Sequence, residues 1–259
     1  MNHGQSRFKV NCLIVGTQKG GTTALAHFLS MHSDVCVADR KEAHFFDSDK
    51  YDESTDPGHI ARQYQNHFSA YSGETICCDA TPIYMYLPWV ARRIHAYNPA
   101  MKLIFLLRNP GARAISQYHM EFGRGTEKLS LWRALLAEPF RLGDKNLDRL
   151  LELRYHSYLH RGFYTNQILG LLKYFPREQM LFIRSDRLQY RHDEVLHQIY
   201  KFLGLQSPAY IPDQEQVFKG EYNPGDSLMI RWLLSLYFKR ETRRLENLLS
   251  WDLTDWRTV

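Results

Sequence analysis

Near the amino terminus an apolar run, Cys12-Leu13-Ile14-Val15, breaks into Gly16-Thr17-Gln18-Lys19-Gly20-Gly21-Thr22-Thr23, and an amphipathic stretch from Ala24 to Met31 follows at once. This order predicts a buried strand, a glycine-rich loop and a helix. Glycines remove side chains so that backbone N–H groups can approach an anion, and a helix start adds unpaired donors and the positive end of a dipole. A phosphorylated ligand is therefore expected at this loop. The common phosphate loop reads G-x-x-x-x-G-K-[ST], with lysine after the last glycine and a hydroxyl for magnesium. Here Thr22 occupies the lysine position, and the lysine lies upstream, at Lys19.

The rest of the chain repeats the alternation. Short apolar runs at Val35–Val37, Thr75–Cys78, Lys102–Leu107 and Met180–Arg184 read as strands. Helical patterns fall at Pro88–Tyr97, Ala112–Phe122, Leu129–Leu136, Phe163–Tyr174 and Glu194–Leu203, with a basic helix over 227–249. Lys102–Leu107 is continuously apolar, as a strand buried on both faces requires. Strands alternating with helices predict an α/β fold, a central parallel sheet flanked by helices. The polar stretch Lys41–Pro57 reads as a long loop, and the segments around Asp47–Gln65 and Gly123–Arg154 carry no legible pattern.

A chain of 259 residues, 44% of them hydrophobic, can bury one large core, and no linker or repeat divides it. One domain over residues 1–259 is expected, with residues 1–8 a short lead. The formal charge of +5 is spread along the sequence, which favours small anionic ligands over nucleic acid. Cys12, Cys36, Cys77 and Cys78 form no C-x-x-C pair. Together with the lack of an apolar leader or a long apolar run, this predicts a reduced, cytoplasmic protein with no membrane span.

The identity of the anion turns on a second position. A magnesium-nucleotide enzyme needs a metal-binding acid at the end of a neighbouring strand. Here Leu103–Leu107 ends in Arg108, which repels a metal and attracts a second phosphate. Ser116 lies on the helix that follows and can add a hydroxyl. Two phosphate sites and no metal fit 3′-phosphoadenosine 5′-phosphosulfate, whose reactive group is on the 5′ end and whose ribose carries another phosphate.

At these residues the sequence resembles the sulfotransferases, particularly the heparan-sulfate type and its bacterial relatives. Leu13–Leu29, LIVGTQKGGTTALAHFL, is similar to the family's 5′-phosphosulfate loop. Lys41-Glu42-Ala43-His44-Phe45-Phe46 is similar to its K-E-x-x-F-F segment, and Arg108-Asn109-Pro110 with Ser116-Gln117-Tyr118 to its R-[ND]-P-x-x-R-x-x-S-x-Y element. Gly162-Phe163-Tyr164, Tyr174-Phe175-Pro176 and Lys219-Gly220-Glu221-Tyr222 follow in order.

The resemblance implies the family's phosphate-loop-like fold and in-line sulfuryl transfer to an alcohol, leaving 3′-phosphoadenosine 5′-phosphate. Lys19 would stabilise charge on the leaving phosphate, an effect worth roughly 3 kcal/mol in comparable oxyanion sites. Gly20, Gly21, Thr22 and Thr23 would cradle the 5′-phosphate. Arg108 and Ser116 would hold the 3′-phosphate, and Lys219, Gly220 and Tyr222 would cover it and the adenine. Glu42 is the first candidate for general base, with His44 and His119 as rivals. Asp79, at a strand end, is a candidate to face the acceptor. That acceptor would be a glycan, lipid, small-molecule or carrier-bound alcohol. The competing readings are a small-molecule kinase, which lacks both the lysine at Thr22 and the acid at Arg108, and a non-catalytic nucleotide-binding module.

Overall fold

The computed structural model describes residues 8–145, 148–208 and 228–257. In chain order the elements are β1 (Cys12–Gly16), α1 (Thr22–Ser30), β2 (Val35–Val37), α2 (Pro57–Gln65), β3 (Ile76–Asp79), α3 (Val90–Tyr97), β4 (Lys102–Leu107), α4 (Pro110–Gly123), α5 (Leu131–Gly143), α6 (Arg149–Tyr155), α7 (Tyr164–Leu171), β5 (Met180–Arg184), α8 (Ser185–Tyr190), α9 (His192–Leu203), α10 (Leu228–Tyr237) and α11 (Lys239–Leu249). The fold class is the expected α/β. The described residues group into two compact units, those within Met1–Leu107 and Gly170–Phe218 and those within Arg108–Leu169 and Lys219–Val259.

The first unit contains a five-stranded sheet in the order β2-β3-β1-β4-β5. Every pairing is parallel, with Cys12 opposite Cys78 and Lys102, and Leu103–Leu107 opposite Met180–Arg184. β1 is buried throughout and β4 everywhere but Lys102, which is why both read as unbroken apolar runs. Ile14, Ile104, Leu106 and Ile183 pack against Leu25, Phe28 and Leu29 of α1 and Val195, Leu196 and Ile199 of α9. The four cysteines are free and buried on β1, β2 and β3, and burial pushes the Cys36 thiol up to about 11 and Cys77 up to about 12. Because the strands are parallel, their carboxyl ends share one edge, and β1, the middle strand, delivers the glycine loop to its centre.

All five strands lie within a residue or two of their expected positions. The helix α2 was unforeseen: Asp56 caps it by accepting the His59 N–H at 3.0 Å, and Pro57 stands at its start, but only Ile60 and Tyr64 are buried, too few for a visible stripe. The turn of helix at α8 was also unforeseen.

The second unit is helical. Ala114, Ile115 and Tyr118 of α4, Ala134 and Leu135 of α5, Tyr158, Ile230 and Leu234 of α10, and Phe238 form its core. α4 starts at Pro110, earlier than its apolar pattern, because the Asn109 side chain accepts the Ala112 N–H at 3.0 Å. α5 and α6 occupy a segment that had shown no pattern beyond Leu129–Leu136. The single basic helix expected over 227–249 is two helices meeting at Phe238, whose ring lies against Gly162 so closely that a Cβ there would sit 2.6 Å away. Near the carboxyl end Trp256 is buried and its carbonyl accepts from Asn109 Nδ2 at 3.1 Å, which anchors the last turn. No helix among the described residues is long and apolar enough to cross a membrane.

Candidate active site

The glycine loop is fastened to the sheet through Thr17. Its N–H and its hydroxyl both donate to the Leu106 carbonyl, at 2.8 and 2.9 Å. The chain then doubles back, with the Gly20 N–H on the Thr17 carbonyl at 2.8 Å. A Cβ on Gly20 would lie 2.5 Å from the Leu106 oxygen, so this position accepts only glycine. Gly21, with φ of 95°, caps α1 and supplies no side-chain hydrogen bond, so the first-turn N–H groups are left to an incoming acceptor. Ser185, directly after β5, donates to the Gly20 carbonyl at 2.7 Å and braces the loop from the far side. No sequence signal had marked it.

Lys19 is half-buried within this loop and has φ of 68°. Glu42 and His44 share that unusual backbone, with φ of 63° and 52°. Among the described non-glycine residues the only other case is Ser250. Left-handed backbone at such residues costs about 1–3 kcal/mol each and persists where the surroundings force it.

The forcing contacts are visible around Glu42. Its N–H donates to the Ala80 carbonyl just beyond β3 at 3.2 Å, and the Ala43 N–H reaches Asp79 Oδ1 at 3.5 Å. The N–H groups of Phe45 and Phe46 both donate to the Tyr84 hydroxyl oxygen, at 2.8 and 3.2 Å. Tyr84 in turn donates to Asp79 Oδ2 at 3.2 Å; Tyr64 donates there at 2.7 Å and Thr81 to Oδ1 at 2.9 Å. Asp79 is 0% exposed, so it does not face an acceptor, as the sequence had suggested; it anchors the turn that carries Glu42. Burial pushes its carboxyl above the ordinary value, opposed by these hydrogen bonds. Phe45 stacks on Tyr64 at 4.2 Å, locking the turn from its apolar side.

The Glu42 carboxylate lies 3.3 Å from Lys41 Nζ and 3.4 Å from His44 Nε2. The other ring nitrogen of His44 meets Asp47 Oδ2 at 2.9 Å. Asp47 and Glu42 together hold the imidazole proton and raise His44 to about 9. Burial would raise Glu42, but His44 and Lys41 outweigh it and keep the carboxyl below its ordinary value. At neutral pH the group is an ionised glutamate beside a protonated histidine. Since β3 pairs with β1, this turn and the glycine loop occupy the same carboxyl edge of the first unit.

Arg108, Ser116 and His119 belong to the second unit. The Arg108 carbonyl accepts from the Tyr164 hydroxyl at 2.8 Å, Ser116 is buried on α4, and the His119 ring, one turn further, lies 5.2 Å from that of Tyr118. Lys219, Gly220 and Tyr222 lie outside the described residues. Among those described, no cluster of three His, Cys, Asp or Glu side chains is arranged for a metal ion.

Comparison with known proteins identifies the family of the chain. The family model described as "Sulfotransferase domain" matches residues 9–219, which include parts of both units. Heparan sulfate glucosamine 3-O-sulfotransferase 6 of Mus musculus is 34% identical over 209 residues, covering 78% of this chain and 54% of that protein. The human heparan sulfate glucosamine 3-O-sulfotransferase 5 is 29% identical over 193 residues, 74% of this chain and 53% of its own. The chain thus spans about half the length of these curated relatives. A sulfotransferase from Alicyclobacillus acidocaldarius superposes with a TM-score of 0.77 at 29% identity, over 96% of this chain and 99% of the other. A sulfotransferase domain from the curacin biosynthetic pathway shares the fold at TM-score 0.56 and 17% identity, over 96% and 100%.

Proposed function

The chain belongs to the sulfotransferase family, and from that premise we propose that it moves the sulfuryl group of 3′-phosphoadenosine 5′-phosphosulfate to an alcohol, with Glu42 as general base. The observation that carries this reading is the ionised Glu42, held in a left-handed turn on the same sheet edge as the lysine-bearing loop. In the transfer the acceptor oxygen forms a bond to sulfur as the bond from sulfur to the 5′-phosphate oxygen breaks. The acceptor proton passes to Glu42, and 3′-phosphoadenosine 5′-phosphate leaves with the electron pair. Lys19 meets the negative charge gathering on that phosphate, while the amides of Gly20 and Gly21 and the hydroxyls of Thr22 and Thr23 hold it in line.

His44 is already protonated when Glu42 is ionised, so it serves as the cation that orients the base rather than as the base itself. His119, on α4, is the rival for the base in this reading. Arg108 and Ser116 take the 3′-phosphate, a ligand set supported by the motif they share with the family and by the suitability of a guanidinium fork to paired oxygens. Lys219, Gly220 and Tyr222 cover the nucleotide in the same reading. The names of the curated relatives favour a sugar hydroxyl as acceptor. A small-molecule kinase is disfavoured because Thr22 replaces its lysine and Arg108 its metal-binding acid. A module that merely bound the nucleotide would have no use for a strained, ionised carboxylate beside the loop.

Titration calorimetry with 3′-phosphoadenosine 5′-phosphate, adenosine 5′-phosphate and magnesium ATP tests the donor. The 3′-phosphorylated nucleotide should bind best without magnesium, and Arg108→Ala should abolish its advantage over adenosine 5′-phosphate. Preference for magnesium ATP would overturn the reading. Glu42→Gln should lower kcat by about 10²- to 10⁴-fold while leaving nucleotide affinity in place.

A further inference from the structure

The helix α10 of the second unit is apolar on nearly every side. One stripe, Ile230 and Leu234 continuing to Phe238, is 1–5% exposed and packs into the core of that unit. The opposite side carries two adjacent rows at four-residue spacing, Leu228-Trp232-Leu236 and Met229-Leu233-Tyr237. Their exposures are 76, 52 and 47%, and 59, 38 and 52%. Within the helix only Arg231 and Ser235 are polar. A helix that is apolar all round is normally buried all round, and soluble proteins rarely leave an apolar face of this extent uncovered.

What lies around that face identifies its partner. Arg231 is exposed on α10 itself, and Lys239, Arg240, Arg243 and Arg244 are exposed on α11, which follows it in the chain. Glu241, the only acid between Leu228 and Arg244, is 2% exposed, and its oxygen is bonded to the Thr165 N–H. Among the described residues of α10 and the first half of α11 the exposed charges are all cations, and an apolar face joined to such a cluster is complementary to a surface that is apolar inside and anionic at its rim. The presence of Trp232 and Tyr237 among the aliphatic side chains suits the boundary between acyl chains and headgroups, where amphipathic rings settle.

We propose that α10 docks the protein on an anionic phospholipid bilayer. The two apolar rows enter the headgroup–acyl boundary with the helix lying in the plane, to the depth of roughly 5–10 Å typical of such helices. Arg231, Lys239, Arg240 and Arg243 meet the lipid phosphates. This attachment is independent of the sulfuryl-transfer reading and is tested without it.

The full chain is sedimented with vesicles of phosphatidylcholine alone and of phosphatidylcholine mixed with phosphatidylglycerol, at low and high salt. Binding to the mixed vesicles should exceed that to neutral ones by at least about tenfold and fall with salt. Trp232→Glu should weaken it by a similar factor, and Lys239→Gln with Arg240→Gln should remove the preference for anionic lipid while the circular dichroism melt is retained. In the native chain, tryptophan emission should shift to the blue on the anionic vesicles. Equal binding to both vesicles, or none, would overturn the proposal. So would a dimer in sedimentation velocity that Trp232→Glu dissociates, since the face would then belong to a second copy.

Discussion

Lys19, Glu42 and His44 combine a chemical side chain with a backbone that side-chain-bearing residues avoid. Strain of this kind is tolerated where the surroundings over-determine the position, and around Glu42 they do so through Ala80, Asp79 and Tyr84. The charge pattern there has a pH signature. His44 is raised from 6.5 to about 9 by Asp47 and Glu42, so its contribution to stability is fully present below about 6.5 and is lost as pH rises through about 9. His44→Gln should flatten the dependence of melting temperature on pH across that window and leave a smaller slope than the native chain shows. An unchanged slope would mean that His44 carries no extra proton in the fold. The same protonated ring predicts that kcat/KM does not rise on deprotonation of a histidine near neutral pH, as it would if His44 were the base.

At the scale of elements, the loop between β1 and α1 and the turn after β2 are shaped by contacts to their neighbours. Gly20 sits against the carbonyl of Leu106 on β4, and alanine there would push the loop off that strand. Gly20→Ala should cost about 1–3 kcal/mol in stability and a larger share of nucleotide affinity than Gly21→Ala, whose neighbours stand 3.7 Å or more away but whose φ is strained. Calorimetry on both variants ranks them. Tyr84→Phe removes one oxygen that serves Phe45, Phe46 and Asp79, leaving buried partners unpaired at about 1–3 kcal/mol. It should lower kcat more than nucleotide affinity, because it loosens the turn that carries Glu42 and leaves the loop alone. Equal losses in both would place Tyr84 in general stability rather than in positioning. The loop was legible because glycine, lysine and threonine letters mark it directly. The Asp79 network was not, because Tyr64, on a helix with two buried residues, and Tyr84 reach Asp79 only once the chain is folded.

At the scale of the whole molecule, the two units differ in what they bury. The first buries two acids, Asp47 and Asp79, whereas the second encloses four, Glu121, Glu127, Glu138 and Glu241, each 1–2% exposed. These carboxylates are not equivalent. Burial would raise Glu127, but Arg141, the N–H groups of Lys128 and Leu129, and the Tyr158 hydroxyl overcome it and pull the group down to about 2. Its stabilisation is present above about 4.5 and is lost as pH falls toward about 2. Glu127→Gln should therefore destabilise the protein at pH 7 by about 1–3 kcal/mol, since it leaves the part-buried Arg141 without its carboxylate. Glu121 is raised by burial, opposed more weakly by Arg124, whose Nη1 stands 3.6 Å away, and by Arg161. Glu121→Gln should cost less at pH 7 than Glu127→Gln, because it removes a carboxyl that burial already disfavours as an anion. Parallel melts of the two variants decide the contrast.

The sequence by itself determined the α/β class, the five strands, the glycine loop and the residues that carry the family resemblance, because period, glycine placement and charge are local properties of neighbouring letters. Only the tertiary structure decided that Asp79 is an anchor rather than an acceptor contact, that Ser185 braces the loop, that His44 is held protonated, and that the last basic stretch is two helices with an apolar face turned outward. Each of these depends on groups far apart in the chain meeting at a few ångströms, where burial and hydrogen bonding set charge and orientation.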